Sequence, residues 1–549
     1  MPETALDADV RCLPFDAFGS FSPLFKAYTG EFTPLKDFYA WDYRDADARR
    51  AAAEAVAATP RDRETLVEML LDQNARWGMD DRIRANIEAL RDPESLVVVT
   101  GQQVGLFTGP LYTPYKTLTT IQLAQRLTEE TGRKVIPVFW LEGGDHDFEE
   151  VASVTMLRNN ETHKLTYTGH SLPENGNLGP VGRLVLTEQI AEVVDELDDL
   201  LPPTDFKPAL MEAVRHAYQP GHTLLDAFAY LMRAFFPNQG LVFLSSDDTR
   251  LKQMAAPLYR QEIEDYATVH PKLEATSERI AEQFHAQVHT SPTNLFLVEP
   301  EGRFPLDADG DEFVLRGTAR RFTKAELLDR LASDPDAFSP NVVLRPLTQD
   351  RVLPTVAYVA GPGEAAYFAQ YREVYAWADI PMPMIYPRAS ITLVESKVQK
   401  VLDRSDLEIP DFAEDLDRLF RRYVLDNMKV DMDALFKKAS SHLHRALETV
   451  KKPVMDIDAS LVKSGEATRA TFMKEWNRYK ERVVKAEKRN QELVRAQLQK
   501  VQVNLYPAGK AQERSLSPLY FANKYGMDLF EQLQASVSLD TTQHQVLAL

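Results

Sequence analysis

Apolar residues in the first ninety positions recur at the spacing of helix faces. Residues 46–58 are alanine-rich, and the stretch from Arg61 to Trp77 puts Leu66, Met69, Leu70 and Trp77 near one side of a helix. Ile83, Ile87 and Leu90 extend the period as far as Pro93. The texture then changes. Ser95-Leu-Val-Val-Val-Thr100 is a short β-branched run followed at once by glycine, the pattern of a strand buried on both faces. Leu118, Ile121, Leu123 and Leu127 predict a helix ending near Thr131-Gly132, and Val135-Ile-Pro-Val-Phe-Trp-Leu141 predicts a second strand. Strand, glycine turn, helix and strand within about 45 residues form a βαβ unit, hence a parallel sheet in an α/β fold. Runs of the same kind at 241–244, 341–345, 356–360 and 384–386 predict further strands of that sheet. Alternation at 163–168 and 181–186, and again over 285–316, predicts inserted β-hairpins. The turn Asp307-Ala-Asp-Gly-Asp311 reads as a hairpin tip, because a calcium loop needs flanking helices and a closing glutamate. His285 and His289, in an extended stretch, are expected to be surface residues.

After Ser390 the pattern becomes helical. Met432, Phe436, Ala439, Leu443, Ala446 and Val450 fall at alternating steps of four and three, and so do Phe472, Trp476, Tyr479, Val483, Ala486, Asn490 and Leu493. Two heptad arms with Ser464-Gly465 between them predict an antiparallel coiled-coil hairpin, with Asn490 on the seam and a kink at Pro453 unless the arm ends there. The expected division is an α/β core over 1–390 with insertions at about 150–235 and 285–335, a coiled-coil domain over 391–505, and a tail over 506–549. Leu519-Tyr-Phe521 gives that tail apolar residues with which to dock on the core.

Length and composition sharpen this picture. A chain of 549 residues exceeds one ordinary domain, and 44% hydrophobic with 26% charged residues is a globular balance. A net charge of −19 disfavours nucleic acid as a partner. No apolar run approaches a membrane span, and residues 1–9 do not read as a signal peptide, so a cytoplasmic location is expected. Cys12 is the single cysteine, which excludes an internal disulfide and a zinc thiolate site; no metal ligands are assigned.

Ligands of open parallel sheets bind at the carboxyl ends of strands. The first such segment, Thr100-Gly-Gln-Gln-Val-Gly-Leu-Phe-Thr-Gly-Pro-Leu-Tyr-Thr-Pro-Tyr-Lys116, makes Gly101, Gln102, Gln103, Gly105, Thr108 and Gly109 candidates for binding, with Lys116 reaching the same anion. It is no Walker loop, since the Gly-Lys-Ser/Thr spacing is absent. The second, Trp140-Leu-Glu-Gly-Gly-Asp-His-Asp-Phe-Glu-Glu150, concentrates titratable groups: Glu142, Asp145, His146 and Asp147. These suit acid–base work or cation binding, and equally the capping of a helix. Asp247 in Ser245-Ser-Asp-Asp248 can bind a hydroxyl or cap a helix; Arg345 and Gln349 share one strand end; Gly361-Pro-Gly-Glu364 with Tyr367 repeats the glycine-to-helix theme.

Four stretches resemble the signature segments of the bacillithiol biosynthesis cysteine-adding enzymes: Thr100 to Tyr112, Pro137-Val-Phe-Trp-Leu-Glu-Gly-Gly-Asp-His-Asp-Phe148, Leu344-Arg-Pro-Leu-Thr-Gln-Asp350 and Gly509-Lys-Ala-Gln-Glu-Arg-Ser-Leu-Ser-Pro-Leu-Tyr520. The likeness runs from Cys12-Leu-Pro-Phe15 to the tail. It implies a Rossmann-like core with inserted regions, a coiled-coil domain that assists homodimerisation, and the last step of bacillithiol assembly, joining the carboxyl of cysteine to the amine of glucosaminyl-malate.

Amide formation from a free carboxylate needs activation, which brings in ATP with Mg²⁺ by chemical analogy. The chain lacks the His-Ile-Gly-His motif of class I synthetases; Thr108-Gly-Pro-Leu111 stands in that place. In the expected mechanism Lys116 and the glycine turn hold phosphates or carboxylates, Asp145 and Asp147 anchor an amine, hydroxyl or Mg²⁺, and His146 assists proton transfer. Arg345 or Arg388 binds malate bidentately. Substituting Lys116 or His146 is expected to spare the fold, because strand-end polar groups near solvent carry little packing. A nucleotide-sugar-dependent transferase and a non-catalytic coiled-coil scaffold are the alternatives.

Overall fold

The structure, a computed structural model, describes residues 10–173, 177–288, 291–427 and 432–549. The segment 1–9 and His289 lie outside the described residues. The chain forms two compact units: Met1–Glu395 with Lys510–Leu549, and Ser396–Gly509.

At the centre of the first unit is a five-stranded parallel sheet. From one edge its strands are Val242–Ser245, Val135–Glu142, Leu96–Gln103, Thr355–Ala360 and Met384–Pro387, a 3-2-1-4-5 order in chain sequence. Every pair is parallel. The β-branched runs form these strands because helices cover the sheet, leaving Val97, Val98 and Val99 without solvent exposure. Burying each such side chain contributes about 1.5–3 kcal/mol. The helix Tyr112–Thr131 makes the first crossover and ends at Gly132, whose φ of 69° is the left-handed conformation that closes a helix. The Rossmann-like α/β class expected from the sequence is the observed one.

Three smaller sheets complete this unit, the simplest being the expected hairpin of Ser153–Arg158 with Glu161–Thr166. Arg321–Thr323, Glu312–Leu315, Gly302–Asp309, Leu295–Glu299 and Phe338–Pro340 form an antiparallel sheet, with Asp309 and Glu312 paired across the expected hairpin tip. The tail returns as Gln543–Ala548 between Val10–Pro14 and Ile391–Val394, while Leu519 and Phe521 are buried.

Two predicted strands are absent. Residues 341–345 lead into a helix, Leu344–Val352, because the Asn341 side chain accepts the amides of Val343 and Leu344, and Pro346 fits the first turn. Residues 181–186 do not form a hairpin strand. Their backbone braces the turn after the second core strand: Val181 N donates to Asp145 O at 2.7 Å, and Gly182 N to Gly143 O at 2.9 Å. The two glycines cross so closely that a Cβ on Gly143 would stand 2.9 Å from Gly182 Cα.

The second unit contains the helical hairpin, Met432–Ile457 and Leu461–Leu505. Phe436 packs on Trp476, ring centres 5.2 Å apart, and Trp476 Nε1 donates to Ser440 at 2.9 Å. Glu448 pairs with Arg469 and Glu466 with Lys451, which fixes the antiparallel register. The reversal lies at residues 458–460, where Asp458 caps Ser460 N; Ser464 and Gly465 are inside the second helix, and the first helix runs through Pro453. Asn490 is exposed and does not sit on a buried seam. Val450, Phe472, Tyr479 and Leu493 are each about half exposed.

Candidate active site

The first strand of the 3-2-1-4-5 sheet is flanked by the second and the fourth, so the order in which strands are added reverses beside Leu96–Gln103. Such a switch point leaves a crevice at the strand ends. Here the crevice is a cavity of about 690 Å³. Its walls come from 101–103, from Trp140, Glu142, Asp145 and His146 after the neighbouring strand, and from 361–364 after the fourth strand.

Lys116 reaches this floor from the first crossover helix and is 3% exposed. Its Nζ donates to Gly101 O at 2.8 Å and Gln102 Oε1 at 3.3 Å, and pairs with Glu364 Oε2 at 2.5 Å. Glu364 is fixed in turn by the Gly361 amide at 2.6 Å and the Tyr358 hydroxyl at 2.7 Å. Burial works to raise Glu364, but Lys116 and these bonds outweigh it and hold the carboxyl below its usual value. Burial pushes the Lys116 ammonium down, against the pull of Glu364. Lys116 is therefore a buried ion-pair partner, which overturns the expectation that its substitution spares the fold.

On the opposite wall Asp145 accepts from His146 N at 2.7 Å and from Gln103 Nε2 at 2.8 Å. Burial would raise its pKa; the His146 bonds, the Arg303 charge and the Gln103 amide hold it well below the carboxylate range. His146 turns Nδ1 to Asp145 Oδ1 at 3.4 Å and to Arg303 Nη1 at 3.3 Å. Arg303 stacks 3.8 Å over Phe296 and donates to Ser339 and Pro340 O. Glu142 accepts from Trp140 Nε1 at 2.9 Å and Gly144 N at 3.0 Å.

Arg345 stands between these walls. Its guanidinium carbon lies 5.4 Å from the Tyr358 ring centre and 6.0 Å from that of Trp140. Nη1 donates to Gln349 at 3.2 Å, while Nη2 is buried with no hydrogen-bond partner among the described residues. Burial works against its charge, but Tyr358, Tyr367, Glu142 and Glu364 around it raise its pKa. Three other arginines of the wall are committed: Arg303 faces Asp145 at 3.7 Å, Arg316 pairs with Asp307, and Arg388 with Glu513; the fourth, Arg514, is exposed. Both terminal nitrogens of Arg388 donate to Glu513 at 2.8 Å, so that edge of its guanidinium already holds a carboxylate.

Nine of the sequence candidates thus line one cavity: Gly101, Gln102, Gln103, Lys116, Glu142, Asp145, His146, Arg345 and Arg388. Six do not. Gly105, Thr108 and Gly109 form a buried turn in which Phe107, Thr108 and Gly109 all have positive φ, tied to the Tyr218 hydroxyl. Asp147 caps the turn Phe148–Val151 through Glu150 N. Asp247 pairs with Arg183 at 2.5 Å, and Gln349 is buried behind Arg345. Sequence reasoning missed Arg303, Tyr358 and Glu513. The glycine-to-helix pattern at 361–364 was a signal for Glu364; nothing in the spacing marks Arg303. Among the described residues no group of three His, Cys, Asp or Glu side chains could hold a metal, and no helix is long and apolar enough to cross a membrane.

Comparison with known proteins places this geometry in a family. The family described as Bacillithiol biosynthesis BshC, N-terminal Rossmann-like domain, matches residues 9–389, and the BshC C-terminal coiled-coil domain matches residues 391–549. A curated protein named "Putative cysteine ligase BshC" from Salinibacter ruber is 52% identical over 535 residues, covering 97% of this chain and 97% of that protein. Proteins of the same name from Chlorobaculum tepidum and Chloroherpeton thalassium are 36% and 34% identical, covering 93% and 94% of this chain and 94% of each relative. With both halves matched and such identity across nearly the whole length, the chain belongs to the BshC family of bacillithiol biosynthesis.

Proposed function

We propose that this protein is a ligase that joins the carboxyl of cysteine to the amine of glucosaminyl-malate in the cytoplasm, the last step of bacillithiol assembly. The observation that carries the reading is Arg345: a buried guanidinium nitrogen without a partner among the described residues, in a cavity where Arg303, Arg316 and Arg388 are each paired with a carboxylate, is a site for a substrate carboxylate. Malate supplies that group. His146, with Nδ1 engaged, presents Nε2 to take the proton of the attacking amine, and Asp145 orients the ring. Lys116 acts through Gln102 and Glu364, which it holds in place.

Carboxylate activation is assigned to ATP. The backbone at Gly363 is open, with no atom within 4 Å of where a Cβ would stand, and the exposed Arg514 shares that wall, so both suit a phosphate. ATP supplies a leaving group at the cysteine carboxyl. Mg²⁺ arriving with the nucleotide keeps several waters and needs few protein ligands, in keeping with the absence of a three-ligand cluster among the described residues. The half-exposed Val450, Phe472 and Leu493 of the helical hairpin are assigned to a homodimer contact.

The test is direct: purified protein with cysteine, glucosaminyl-malate and ATP, read by mass spectrometry, with nucleotide sugars in a parallel arm. Bacillithiol from the first arm is expected. Product only with a nucleotide sugar would replace the ligase by a transferase.

A further inference from the structure

Behind the wall of the cavity lies a second layer of buried polar groups contributed by the C-terminal segment. Arg388 follows the strand Met384–Pro387, and its partner Glu513 lies 125 residues later, in the turn of helix Gln512–Ser515. Both are almost fully buried. Each carboxylate oxygen of Glu513 is filled. Oε1 takes Arg388 Nη2 and the Ser390 hydroxyl at 3.0 Å; Oε2 takes Arg388 Nη1 and the Ile391 amide at 2.9 Å.

The protons of this layer have one consistent arrangement. Glu513 is ionised, because Arg388 and the Ile391 amide overcome its burial. It therefore only accepts, and Ser390 must donate to it. The Ser390 oxygen then accepts from His544 Nδ1 at 2.9 Å. Burial pushes His544 down to about 4, so the ring is neutral and its Nε2 accepts, from the Thr392 hydroxyl 2.8 Å away. The chain runs from Thr392 through His544 and Ser390 to Glu513, and Glu513 grips both terminal nitrogens of Arg388. Nη1 gives its second N–H to Ala389 O at 2.8 Å, so what remains of the guanidinium is the edge made by Nε–H and the second N–H of Nη2, with Nε on the side of Gly361: a Cβ there would stand 3.9 Å from Nε and 3.8 Å from Lys116 Cε.

We propose that Glu513 and His544 are positioning residues of the site: the C-terminal segment clamps Arg388 so that its Nε edge is presented to the cavity beside Gly361, where it donates to a carboxylate or carbonyl oxygen of the substrate. A free guanidinium offers several edges to a carboxylate, each through two parallel N–H groups. Occupying the pair on the terminal nitrogens fixes which edge is left to face the cavity. The inference rests on the reading of the cavity as the glucosaminyl-malate site.

Glu513→Gln keeps the shape, removes the charge and sets an amide N–H against Arg388. The KM for glucosaminyl-malate is expected to rise about 10- to 100-fold, the range seen when the outer partner of a site residue is removed. In an Arg388→Met background the same substitution adds no further loss, because Glu513 acts through Arg388. Arg388 also becomes open to phenylglyoxal, mapped by peptide mass on the full-length protein. Thr392→Val, which removes only the far hydroxyl, raises KM about fivefold, as one neutral hydrogen bond implies, and serves if Glu513→Gln does not fold. Unchanged KM and unchanged labelling of Arg388 in a folded variant, or losses that add in the Arg388→Met background, would overturn the inference. If the wild-type protein neither binds nor turns over glucosaminyl-malate, the functional reading fails, while the labelling of Arg388 still decides whether Glu513 positions it.

Discussion

Lys116→Met tests whether the floor of the cavity is held by charge. The methionine replaces the aliphatic stem closely, so no large cavity follows, and the lost ion pair dominates. Removing one partner of a buried pair costs about 3–5 kcal/mol because the other charge stays behind uncompensated. Glu364 opens on the cavity, with its side chain 21% exposed, and retains the Gly361 and Tyr358 bonds. The low end, about 3 kcal/mol, is therefore expected. The sign with pH follows from the stranded carboxylate. In the wild type the folded pKa of Glu364 is depressed, so its contribution is full above the unfolded value of about 4.5 and lost as pH falls through the folded one. Without Lys116 burial is no longer outweighed and raises the folded pKa above the unfolded one, so the variant is penalised most at pH 8 and less at pH 5, where protonation relieves the stranded charge. Lys116→Met with Glu364→Gln removes the stranded charge and recovers most of the loss. Urea titrations followed by tryptophan fluorescence, with Trp140 in the cavity wall as reporter, give all three values. A single variant as stable as the wild type, or a double variant no better than the single, would refute the reasoning.

Glu262, fully buried with Oε2 unpartnered, is raised by burial to about 7. Its proton stabilises the fold below that value, and stability falls as pH rises from about 4.5 to 7; Glu262→Gln should flatten the change between pH 5 and pH 8 by about 3 kcal/mol in urea titrations. Arg345→Ala removes a charge-assisted contact and should raise the KM for glucosaminyl-malate roughly 10- to 100-fold, with kcat less affected, in steady-state assays. Cys12 is exposed on an outer strand, so Cys12→Ser and strong zinc chelation should both leave turnover intact; loss restored only by zinc would point to His146 and carboxylate ligands. Aspartate at Val450, Phe472 and Leu493 should convert a dimer to a monomer in sedimentation velocity, and a dimer that persists would place the interface elsewhere.

What the sequence made legible depended on how local the controlling interactions are. The core strands at 96–103, 135–142 and 355–360 announce themselves, because a strand buried on both faces needs an unbroken apolar run. Residues 341–345 carry the same Val-Val-Leu texture and still enter a helix: a single side chain, Asn341, captures two amides and starts it. At 181–186 the amides that would have built a hairpin go to Gly143 and Asp145, a contact no alternation pattern encodes. The cavity behaves likewise. Glycines and acids at strand ends mark Gly101, Glu142 and His146, but Arg303 enters from an inserted sheet and Glu513 from the tail, and only folding brings them near. Gly105 to Gly109 looked like a ligand loop and is a buried turn, because positive φ serves tight packing as well as close approach to a ligand.

The overall charge and the site point in opposite directions. A chain of net charge −19 binding a dicarboxylate would face repulsion at every distance if charge were spread evenly. Screening removes most of that: at physiological salt, exposed charges more than about 8 Å away hardly act. Inside the cavity the balance is set by pairs. Glu364, Asp145, Asp307 and Glu513 each face a cation, which leaves them little net field at the substrate. Of Arg303, Arg316, Arg345 and Arg388, Arg345 alone has no carboxylate partner among the described residues, and at 4 Å in surroundings of effective dielectric about 20 it attracts a carboxylate by about 4 kcal/mol before desolvation. The pairs weaken the pull of the other three on the same anion, and the exposed Arg514 is screened by solvent. A carboxylate inside the cavity is thus drawn most strongly to the inner cation that no carboxylate neutralises.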